Sequence, residues 1–329
     1  MSGTPNPPET VSHLRTLPES RVPFHGRAPR APKNDQNGPA GVAAVLNHPS
    51  LWAVQRGFMN KAKTEAERIA ASGRTLEEHL DIVRALKTDP KGSKAVTLDF
   101  ETGDFAGWSV RRLCRPYSAT VQSEIVRIGT KACRFEIRPG DHISQGARAE
   151  LRDWYNAPFE ADTWYGFSTY LPKDFTPPKG IGVVLAQWHD QAELGDPSGK
   201  PPLAIRYLDG ALRFTGAFSE IASQDPEKRY AFHSIPEVAH DRWLDFVFRI
   251  HWSKAGDSSI DAFLDGAPLF RFAGPLGYRN EIKGPYFKFG VYASGEITGP
   301  LVAYHDNYSR ADSFAAVDPS ILHTPADDR

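Results

Sequence analysis

Alternation of apolar and polar positions marks a series of short strands from residue 95 onward. Successive side chains of a strand point to opposite faces, so a period of two indicates a half-buried β-strand. This period predicts strands at Val96–Phe100, Cys133–Arg138, Trp164–Leu171, Leu244–Ile250 and Ile260–Leu264. Turn sequences separate them, and Asp265-Gly266 predicts a two-residue hairpin. Many short strands with little helical periodicity predict an all-β sandwich or jelly roll.

The residues before this region follow a different pattern. The first 40 residues contain eight of the 27 prolines and few large apolar side chains, so a disordered tail is expected. A helical period from Leu76 to Leu86 predicts a small helical segment that packs on the main domain. The predicted organisation is a tail over 1–40, a helical segment over 41–92, a β-domain over 93–318 and a C-terminal tail over 319–329.

Composition and charge narrow the class of protein. Of the 329 residues, 40% are hydrophobic and 24% are charged, which suffices for a full core. A formal net charge of −1 gives no overall basic field for nucleic acid, and no apolar run is long enough for a membrane helix. No apolar leader follows the N-terminus. We expect a monomer that is cytoplasmic or exported by a non-standard route, unless the start is mis-set or trimmed.

The two cysteines, Cys114 and Cys133, exclude a disulfide-dense scaffold and a cysteine-based zinc site. Both lie in strand-like runs, so they could form one bridge. Two free buried thiols are equally compatible with the pattern.

A first strand-like segment, Arg148-Ala149-Glu150-Leu151-Arg152, has charged side chains at alternate positions. Arg148, Glu150 and Arg152 then share one face, with a carboxylate between two guanidinium groups. This row suits an anionic ligand, because the guanidinium fork matches a carboxylate. A solvated strand face with cross-strand ion pairs would also explain it.

A second segment combines a core face with a polar face. Leu185, Gln187 and His189 share one face, while Val184 and Trp188 fall on the face expected in the core. Histidine titrates near neutral pH, which suits proton transfer. A hydrogen-bonded core histidine is the alternative interpretation.

A third segment, from residue 286 to residue 292, alternates in the same way. One face carries Tyr286, Lys288, Gly290 and Tyr292, and the other carries Phe287, Phe289 and Val291. The second face is a core face, and Gly290 on the first would leave room for a ligand to approach. An ordinary solvent-exposed face is again the alternative.

Together the three segments supply the groups needed for β-elimination at a uronic acid. The C5 proton of a uronate is weakly acidic, so a site must first neutralise the adjacent C6 carboxylate, which arginine and glutamine can do. A base then takes the C5 proton and an acid protonates the O4 leaving group, roles open to histidine and tyrosine. The scheme requires no cofactor, and the expected partner is an anionic polysaccharide.

The order Arg-x-Glu-Leu-Arg, Gln-x-His and Tyr-Phe-Lys-x-Gly-x-Tyr resembles the three signature blocks of alginate lyases in polysaccharide lyase family seven. The wider sequence, from about Ala95 to Arg310, is similar to the heparin lyase I and glucuronan lyase-like group. The segments Leu98–Phe105, Trp164–Ser168 and Gly284–Lys288 carry this similarity. The resemblance implies a concanavalin-like β-jelly roll with a groove on its concave sheet.

The resemblance also implies roles for individual residues. Arg152, with Arg148 as its neighbour, and Gln187 would neutralise the substrate carboxylate. His189 would be the base when the C5 proton and O4 lie on opposite faces, and Tyr292 would be the acid, or both acid and base in a syn elimination. The implied substrate-binding residues are Lys288, Tyr286, Trp188, Glu150 and His142, with His142 also a second candidate base.

Two positions depart from the alginate lyase pattern. Trp188 and Phe289 stand where that family has small residues, which favours a glucuronan-type or other glucuronate polymer over alginate. Relatives also often hold a structural calcium ion, and Glu101 and Asp306 lie in the corresponding segments with suitable oxygen ligands. A surface acid at Glu101 and a polar turn at Asp306 are the alternative.

Two other functions are open at this point. A catalytically silent, lectin-like jelly roll would bind sugar through groove aromatics without proton transfer. A glycoside hydrolase on the same fold needs two carboxylates at a defined separation, and no closely spaced Glu-x-Asp-x-x-Glu strand motif occurs. The C4–C5 double bond of an eliminative product absorbs in the ultraviolet and separates a lyase from a binding protein.

Overall fold

The computed structural model describes residues 95–143, 146–191 and 199–322. The tail expected over residues 1–40 and the helical segment expected over 41–92 lie outside the described residues. Within those three ranges, no helix combines the length and apolar character that crossing a membrane requires.

Sixteen strands in the described residues, numbered along the chain, form two sheets that pack as a sandwich. The first sheet contains β1 (Val96–Leu98), β3 (Ala119–Gln122), β4 (Ala132–Ile137), β6 (Ala161–Tyr170), β11 (Trp243–Trp252), β12 (Ser259–Leu264), β13 (Ala267–Ala273) and β16 (Leu301–Ala311). The second contains β2 (Trp108–Leu113), β5 (Arg148–Asn156), β7 (Val183–His189), β8 (Leu203–Leu208), β9 (Ala211–Ser219), β10 (Lys228–Ile235), β14 (Gly277–Tyr278) and β15 (Tyr286–Ala293). The helical elements are a 3-10 turn over Pro116–Ser118 and a short helix, α1, over Pro319–Leu322.

The all-β sandwich prediction is confirmed, and the architecture is that of a jelly roll. The first sheet has the order β13-β12-β11-β6-β16-β4-β3, with β1 beside β16. The second has the order β10-β9-β8-β7-β15-β5-β2, with β14 parallel to β9. Asp265 and Gly266, at φ values of 52° and 74°, close the predicted β12–β13 hairpin with the left-handed backbone that such turns need.

Large aromatic side chains fill the space between the sheets. Trp188, Phe287 and Phe289 of the second sheet pack against Phe167 and Tyr308 of the first, with ring centroids 4.7–6.4 Å apart. Burying each such side chain stabilises the fold by about 2–3 kcal/mol. Because these rings occupy one face of β7 and β15, the residues between them face outward from the second sheet.

A buried histidine joins the two sheets. His305 on β16 has its Nε2 3.0 Å from the carbonyl oxygen of Gly290 on β15, and its Nδ1 3.1 Å from the Thr169 hydroxyl on β6. Complete burial lowers the pKa of His305 to about 3. The ring is therefore neutral, so its Nε2–H donates to Gly290 and its Nδ1 accepts from Thr169.

The outer face of the first sheet carries a second, smaller apolar cluster. Trp164, Val247 and Phe263 pack there against Phe314 and Val317 of the C-terminal segment. A Cβ at position 166 would overlap the backbone of that segment, so β6 requires a glycine where the chain crosses it. The expected C-terminal tail begins at residue 319, where the structure has α1.

Both cysteines are free thiols. Cys133 is buried on β4, where burial raises the pKa of its thiol well above the usual value. Cys114 is half-buried, and its sulfur lies 3.5 Å from the carbonyl oxygen of His142. Of the two alternatives, a single disulfide bridge or two free thiols, the structure therefore has two free thiols.

Candidate active site

The outward faces of neighbouring strands in the second sheet form a cavity of about 330 Å³. Its lining consists of Arg112, Arg148, Val184, Gln187, His189, Gly199, Lys200, Pro201, Arg206, Gln224, Tyr286, Lys288, Tyr292 and Ser294. A smaller cavity of about 50 Å³ adjoins it and is lined by Arg112, Glu150, Leu151, Arg152, Tyr286 and Lys288. All three polar segments singled out in the sequence thus contribute to one surface.

The pairing register arranges these side chains in three rows that run across the strands. The tyrosine row crosses β5, β15, β7, β8 and β9. Its residues, one on each strand in that order, are Arg148, Tyr292, Val184, Arg206 and Arg213. The glutamine row contains, on the same strands, Arg152, Lys288, Gln187, Ala204 and Thr215. The histidine row contains Asn156, Tyr286 and His189.

A β-bulge in β7 changes which residues face the cavity. Pairing with β8 shifts between Val184 and Ala186, and Val184 consequently lines the cavity while Leu185 lies in the core. The expectation from strict alternation, which assigned these two residues the other way round, is wrong because a bulge adds one residue to the strand. The bulge also brings Val184 beside Tyr292.

Gly290 lies where β15 carries a matching irregularity, and its φ is +139°. A Cβ at this position would overlap the carbonyl oxygen of Ala149 on β5. The expectation that Gly290 leaves room for a ligand is wrong, because the backbone of the next strand occupies that space. Glycine is required here by backbone packing.

Glu150 forms the centre of a buried charge network below the cavity. One of its carboxylate oxygens lies 3.4 Å from Arg148 and 3.2 Å from the Lys288 ammonium, and the other accepts a hydrogen bond from Gln187 at 2.5 Å. Burial lowers the pKa of Lys288, and the Glu150 charge partly offsets this effect. Glu150 is only 2% exposed, so it holds the three side chains around it in place.

Tyr292 packs against one guanidinium group and lies in the same row as a second, that of Arg206. The Arg148 guanidinium carbon is 3.9 Å from the centre of the Tyr292 ring. Burial lowers the pKa of Arg206, an effect that Tyr292 and Glu150 partly oppose. The ring also packs against the backbone at Gly146, where a Cβ would lie 2.9 Å from its edge. The phenol is therefore held in a basic environment.

His189 lies at the other end of the cavity, beside a buried carboxylate. Its Nδ1 is 2.7 Å from Asp190, whose other oxygen accepts a hydrogen bond from the Gly199 N–H at 3.0 Å. The Tyr286 ring lies parallel to the imidazole at 5.8 Å, and the Arg152 guanidinium carbon is 3.5 Å from the centre of that ring. Burial raises the pKa of Tyr286 to about 12, which keeps this phenol protonated.

His189 and Tyr292 line the same cavity but occupy its opposite ends. The residue paired with Tyr292 on β7 is Val184, and that paired with His189 on β15 is Tyr286. Five positions along β7 separate Val184 from His189, but the bulge takes up one of them, so their backbones are roughly 13 Å apart at the usual rise of a strand. Gln187 lies between them, so the histidine and tyrosine rows are separated by the glutamine row.

Two residues expected to bind substrate lie away from the cavity. Trp188 has no exposed surface and packs in the core against Phe248 and Phe287, so the structure contradicts its predicted contact with substrate. Its position follows from the core face on which alternation places it. His142 is a surface residue whose Nε2 lies 3.3 Å from Glu296.

The two residues expected to hold calcium both accept hydrogen bonds from the loop over residues 127–131. Glu101 accepts them from the backbone of Thr130 and Lys131, and Asp306 from that of Arg127. Burial raises the pKa of Asp306 to about 7. No group of three or more potential metal ligands occurs within the described part of the chain. A structural calcium ion held by these residues stays a prediction.

Sequence reasoning missed three basic residues of the cavity. Arg206 interrupts an otherwise apolar strand, Leu203–Leu208, and that interruption was a usable signal. Arg112 and Lys200 lie in short polar contexts that carry no comparable pattern. Arg112 reaches the site through the pairing of β2 with β5, and Lys200 through the loop before β8.

A family model described as polysaccharide lyase matches residues 100–309. No curated protein matches the chain. Among solved structures, an endo-β-1,4-glucuronan lyase from the fungus Trichoderma reesei is 19% identical and has a TM-score of 0.58, over 68% of this chain and 98% of that one. Alginate lyase A1-II′, a member of polysaccharide lyase family seven, is 13% identical with a TM-score of 0.45, over 61% of this chain and 85% of that one.

Proposed function

The chain belongs to the polysaccharide lyase family, and we propose that it cleaves a glucuronate-containing polysaccharide by β-elimination. The observation that carries this proposal is the composition of the cavity. Its lining includes five basic side chains, Arg112, Arg148, Lys200, Arg206 and Lys288, together with an imidazole and two phenols. A polyanion with one carboxylate per sugar is the ligand that such a surface recognises.

Gln187, Lys288 and Arg148 are the proposed binding groups for the C6 carboxylate. Two of them are cations, and Glu150 neutralises one of the two positive charges. The remaining positive charge is available to a substrate carboxylate. Because Glu150 fixes all three side chains before substrate arrives, they can stabilise the enolate-like charge that develops when the C5 proton leaves.

Tyr292 is the proposed proton-transfer group. In β-glucuronate the C5 hydrogen and O4 lie on the same face of the ring, so one group can serve both. The Tyr292 phenolate would take the C5 proton, the C5 electron pair would form the C4–C5 double bond, and the phenol would return the proton to O4 as the C4–O4 bond breaks. The Arg148 guanidinium, whose carbon lies 3.9 Å from the centre of the ring, supports this role because it can stabilise the charge that the phenol oxygen carries during proton transfer.

His189 is assigned a smaller part in glucuronate cleavage than Tyr292. Its position in a different row from Tyr292, with the glutamine row between them, supports this assignment. The role of base for a uronate whose C5 proton and O4 lie on opposite faces stays a prediction for His189. On glucuronate, Tyr292 would act without it.

Glucuronan is the first polymer to test. The glucuronan lyase of similar fold supports this choice. Phe289, which departs from the alginate lyase pattern, lies in the core and therefore gives no information about the substrate. Purified full-length protein should be incubated with glucuronan, alginate, heparin and hyaluronan while ultraviolet absorbance is followed. We expect the fastest rise in absorbance on glucuronan. Binding of these polymers without any rise in absorbance would contradict the proposal.

Substitution of Tyr292 tests the mechanism directly. Tyr292→Phe should lower kcat on glucuronan by about 10³-fold, within the usual range for loss of an acid–base group. His189→Asn should lower it less. Tyr170→Phe is the matched control, because this phenol lies on the first sheet near Asp241. Equal losses in the Tyr292 and His189 variants would contradict the assignment of Tyr292 as sole proton-transfer group.

A further inference from the structure

Two arginines lie directly opposite each other on the outward face of β8 and β9. Arg206 pairs with Arg213 in the register, and their neighbours Ile205 and Phe214 pair with each other in the core. Like charges at directly opposed positions of an antiparallel pair destabilise the sheet. A pair of this kind is unfavourable unless an anion lies between or above the two groups.

No acidic side chain within the described residues forms an ion pair with Arg206 or Arg213, although Glu150 acts on Arg206 at longer range. The Arg206 Nε donates to the Thr215 hydroxyl at 3.0 Å, while the carboxylate of Glu150 makes its ion pairs with Arg148 and Lys288. Arg213 is exposed to solvent. The arrangement therefore leaves two arginines at opposed positions of neighbouring strands, each with a guanidinium group able to bind the two oxygens of one carboxylate.

The pair continues the tyrosine row. Arg148, Tyr292, Val184, Arg206 and Arg213 are consecutive across five neighbouring strands. Strands are about 4.8 Å apart, which is close to the length that one pyranose ring adds to a 1,4-linked chain. A polymer lying along this row would place successive sugars above successive strands.

We propose that Arg206 and Arg213 form a carboxylate subsite that binds a uronate two to three residues from the sugar above Tyr292, so that the polymer crosses the strands. This inference rests on the proposed function for the position of the cleaved bond. The chemical class bound is a polyuronate, and the subsite recognises its repeated carboxylate. Arg213 lies three strands from Tyr292, about 14 Å, which sets the chain length that can reach it.

The alternative direction, along the strands, makes a different prediction. Trp154 lies on β5 two positions beyond Arg152, on the same face, and is 71% exposed. A polymer that followed β5 would cover this indole and would not reach Arg213. The two residues therefore report on the two directions.

The test measures binding separately from cleavage. Calorimetry in the Tyr292→Phe background should use glucuronan oligosaccharides of three and six residues. Adding Arg213→Ala should weaken hexamer binding about tenfold, because one charge-assisted contact is lost. It should weaken trimer binding much less. Arg213→Lys should restore part of the affinity. Arg271→Ala is the matched control, because Arg271 lies on the first sheet. Its ion-pair partner Asp261 still has a second ion pair, with Arg249, after the substitution.

A stability measurement excludes a merely structural role for Arg213. Because the like-charge pair is unfavourable, Arg213→Ala should raise the melting temperature of the free protein while it weakens hexamer binding. If Arg213→Ala lowered both the melting temperature and the affinity for the hexamer, Arg213 would have a structural role and the proposal would be overturned. Equal effects on trimer and hexamer, or a hexamer loss in Trp154→Ala with none in Arg213→Ala, would also overturn it.

The outcomes for this inference and for the proposed function are distinguishable. If the unsubstituted protein raises the ultraviolet absorbance of glucuronan but Arg213→Ala leaves hexamer binding unchanged, the lyase assignment is supported and the subsite is contradicted. If Arg213→Ala weakens hexamer binding but the unsubstituted protein produces no rise in absorbance, the subsite is supported and the elimination chemistry is contradicted.

Discussion

Glu150 shows how a single buried charge organises the site. It touches a guanidinium, an ammonium and an amide, and each of these also lines the cavity. Removing one partner of a buried ionic network leaves the others desolvated and unpaired, which costs far more than losing a surface pair. The residue therefore supports both folding and the proposed binding of the substrate carboxylate.

Glu150→Ala should lower the free energy of unfolding by about 3–5 kcal/mol, because Arg148 and Lys288 would stay buried without their counter-charge. Glu150→Gln should cost less, since the amide still accepts hydrogen bonds. Denaturant unfolding measures both. Glu296→Ala, which removes an exposed carboxylate beside His142, should change stability by no more than about 0.5 kcal/mol. Similar losses in the Glu150→Ala and Glu296→Ala variants would contradict the network.

Asp190 should act on catalysis through His189. Its carboxylate lies 2.7 Å from Nδ1, and its backbone carbonyl oxygen lies 3.1 Å from the same nitrogen, so this residue can fix the orientation of the imidazole. We expect Asp190→Asn and His189→Asn to lower kcat by similar factors, and the double variant to add little to either. Steady-state kinetics on glucuronan measures this. Fully multiplicative losses in the double variant would show that the two residues act independently.

Most of the site's side chains could be predicted from a period of two. Arg148, Gln187, His189, Lys288 and Tyr292 all face the cavity as alternation requires. The sequence of one strand does not show which strand lies beside it. Arg206 was missed because it enters the site through the pairing of β8 with β7, and local periodicity does not predict such long-range pairing.

At the scale of elements, the irregularities of β7 and β15 shape the cavity more than the regular strands do. The two strands shift register between Phe289 and Tyr292, and β7 bulges between Val184 and Ala186. These shifts place Val184 in the tyrosine row. The exchange of Val184 and Leu185 was unpredictable, because a bulge reflects how two strands fit together and alters no residue in the pattern.

Gly290→Ala should be among the most damaging substitutions in the second sheet. Its φ of +139° disfavours any side chain, and the new methyl group would overlap β5. We expect a loss of about 3 kcal/mol or more, or failure to fold. Gly210→Ala is the control, because its φ is +84° with open space around it, and it should cost only about 1–2 kcal/mol. Comparable unfolding midpoints for the two variants would contradict the bulge geometry.

At the scale of the whole molecule, the first sheet supports the site without contributing to the cavity. Its aromatic side chains pack beneath β7 and β15, and His305 ties it to the bulge through Gly290. This layered arrangement was predictable, because strands with one apolar face must pair as two sheets. The buried histidine was not, since its isolated position in β16 gives no sign of its partners.

His305 should make stability depend on pH in a defined direction. Its pKa is about 3 in the folded protein and about 6.5 when unfolded, so between these values the unfolded state binds the extra proton. Stability should therefore fall as pH decreases from about 6.5, by up to about 1.4 kcal/mol per pH unit from this group. Asp306, with its pKa raised to about 7, contributes the opposite dependence.

The difference in the free energy of unfolding between the unsubstituted protein and His305→Gln gives the contribution of the histidine to the pH dependence, because both proteins contain Asp306. Urea unfolding between pH 7.5 and 4.5 should show a shallower loss of stability on acidification in the variant. Parallel pH profiles would mean that His305 is accessible to protons in the folded state, against its placement between the sheets.

A crystal structure of Tyr292→Phe with a glucuronan hexasaccharide would show the path of the polymer and the position of the bond to be cleaved. We expect a sugar chain that crosses the strands along the tyrosine row. It places one carboxylate on Gln187, Lys288 and Arg148, and the adjacent glycosidic oxygen and C5 within reach of the residue 292 ring. An oligosaccharide bound along β5, or one whose glycosidic bond lay at His189 and Tyr286, would contradict it.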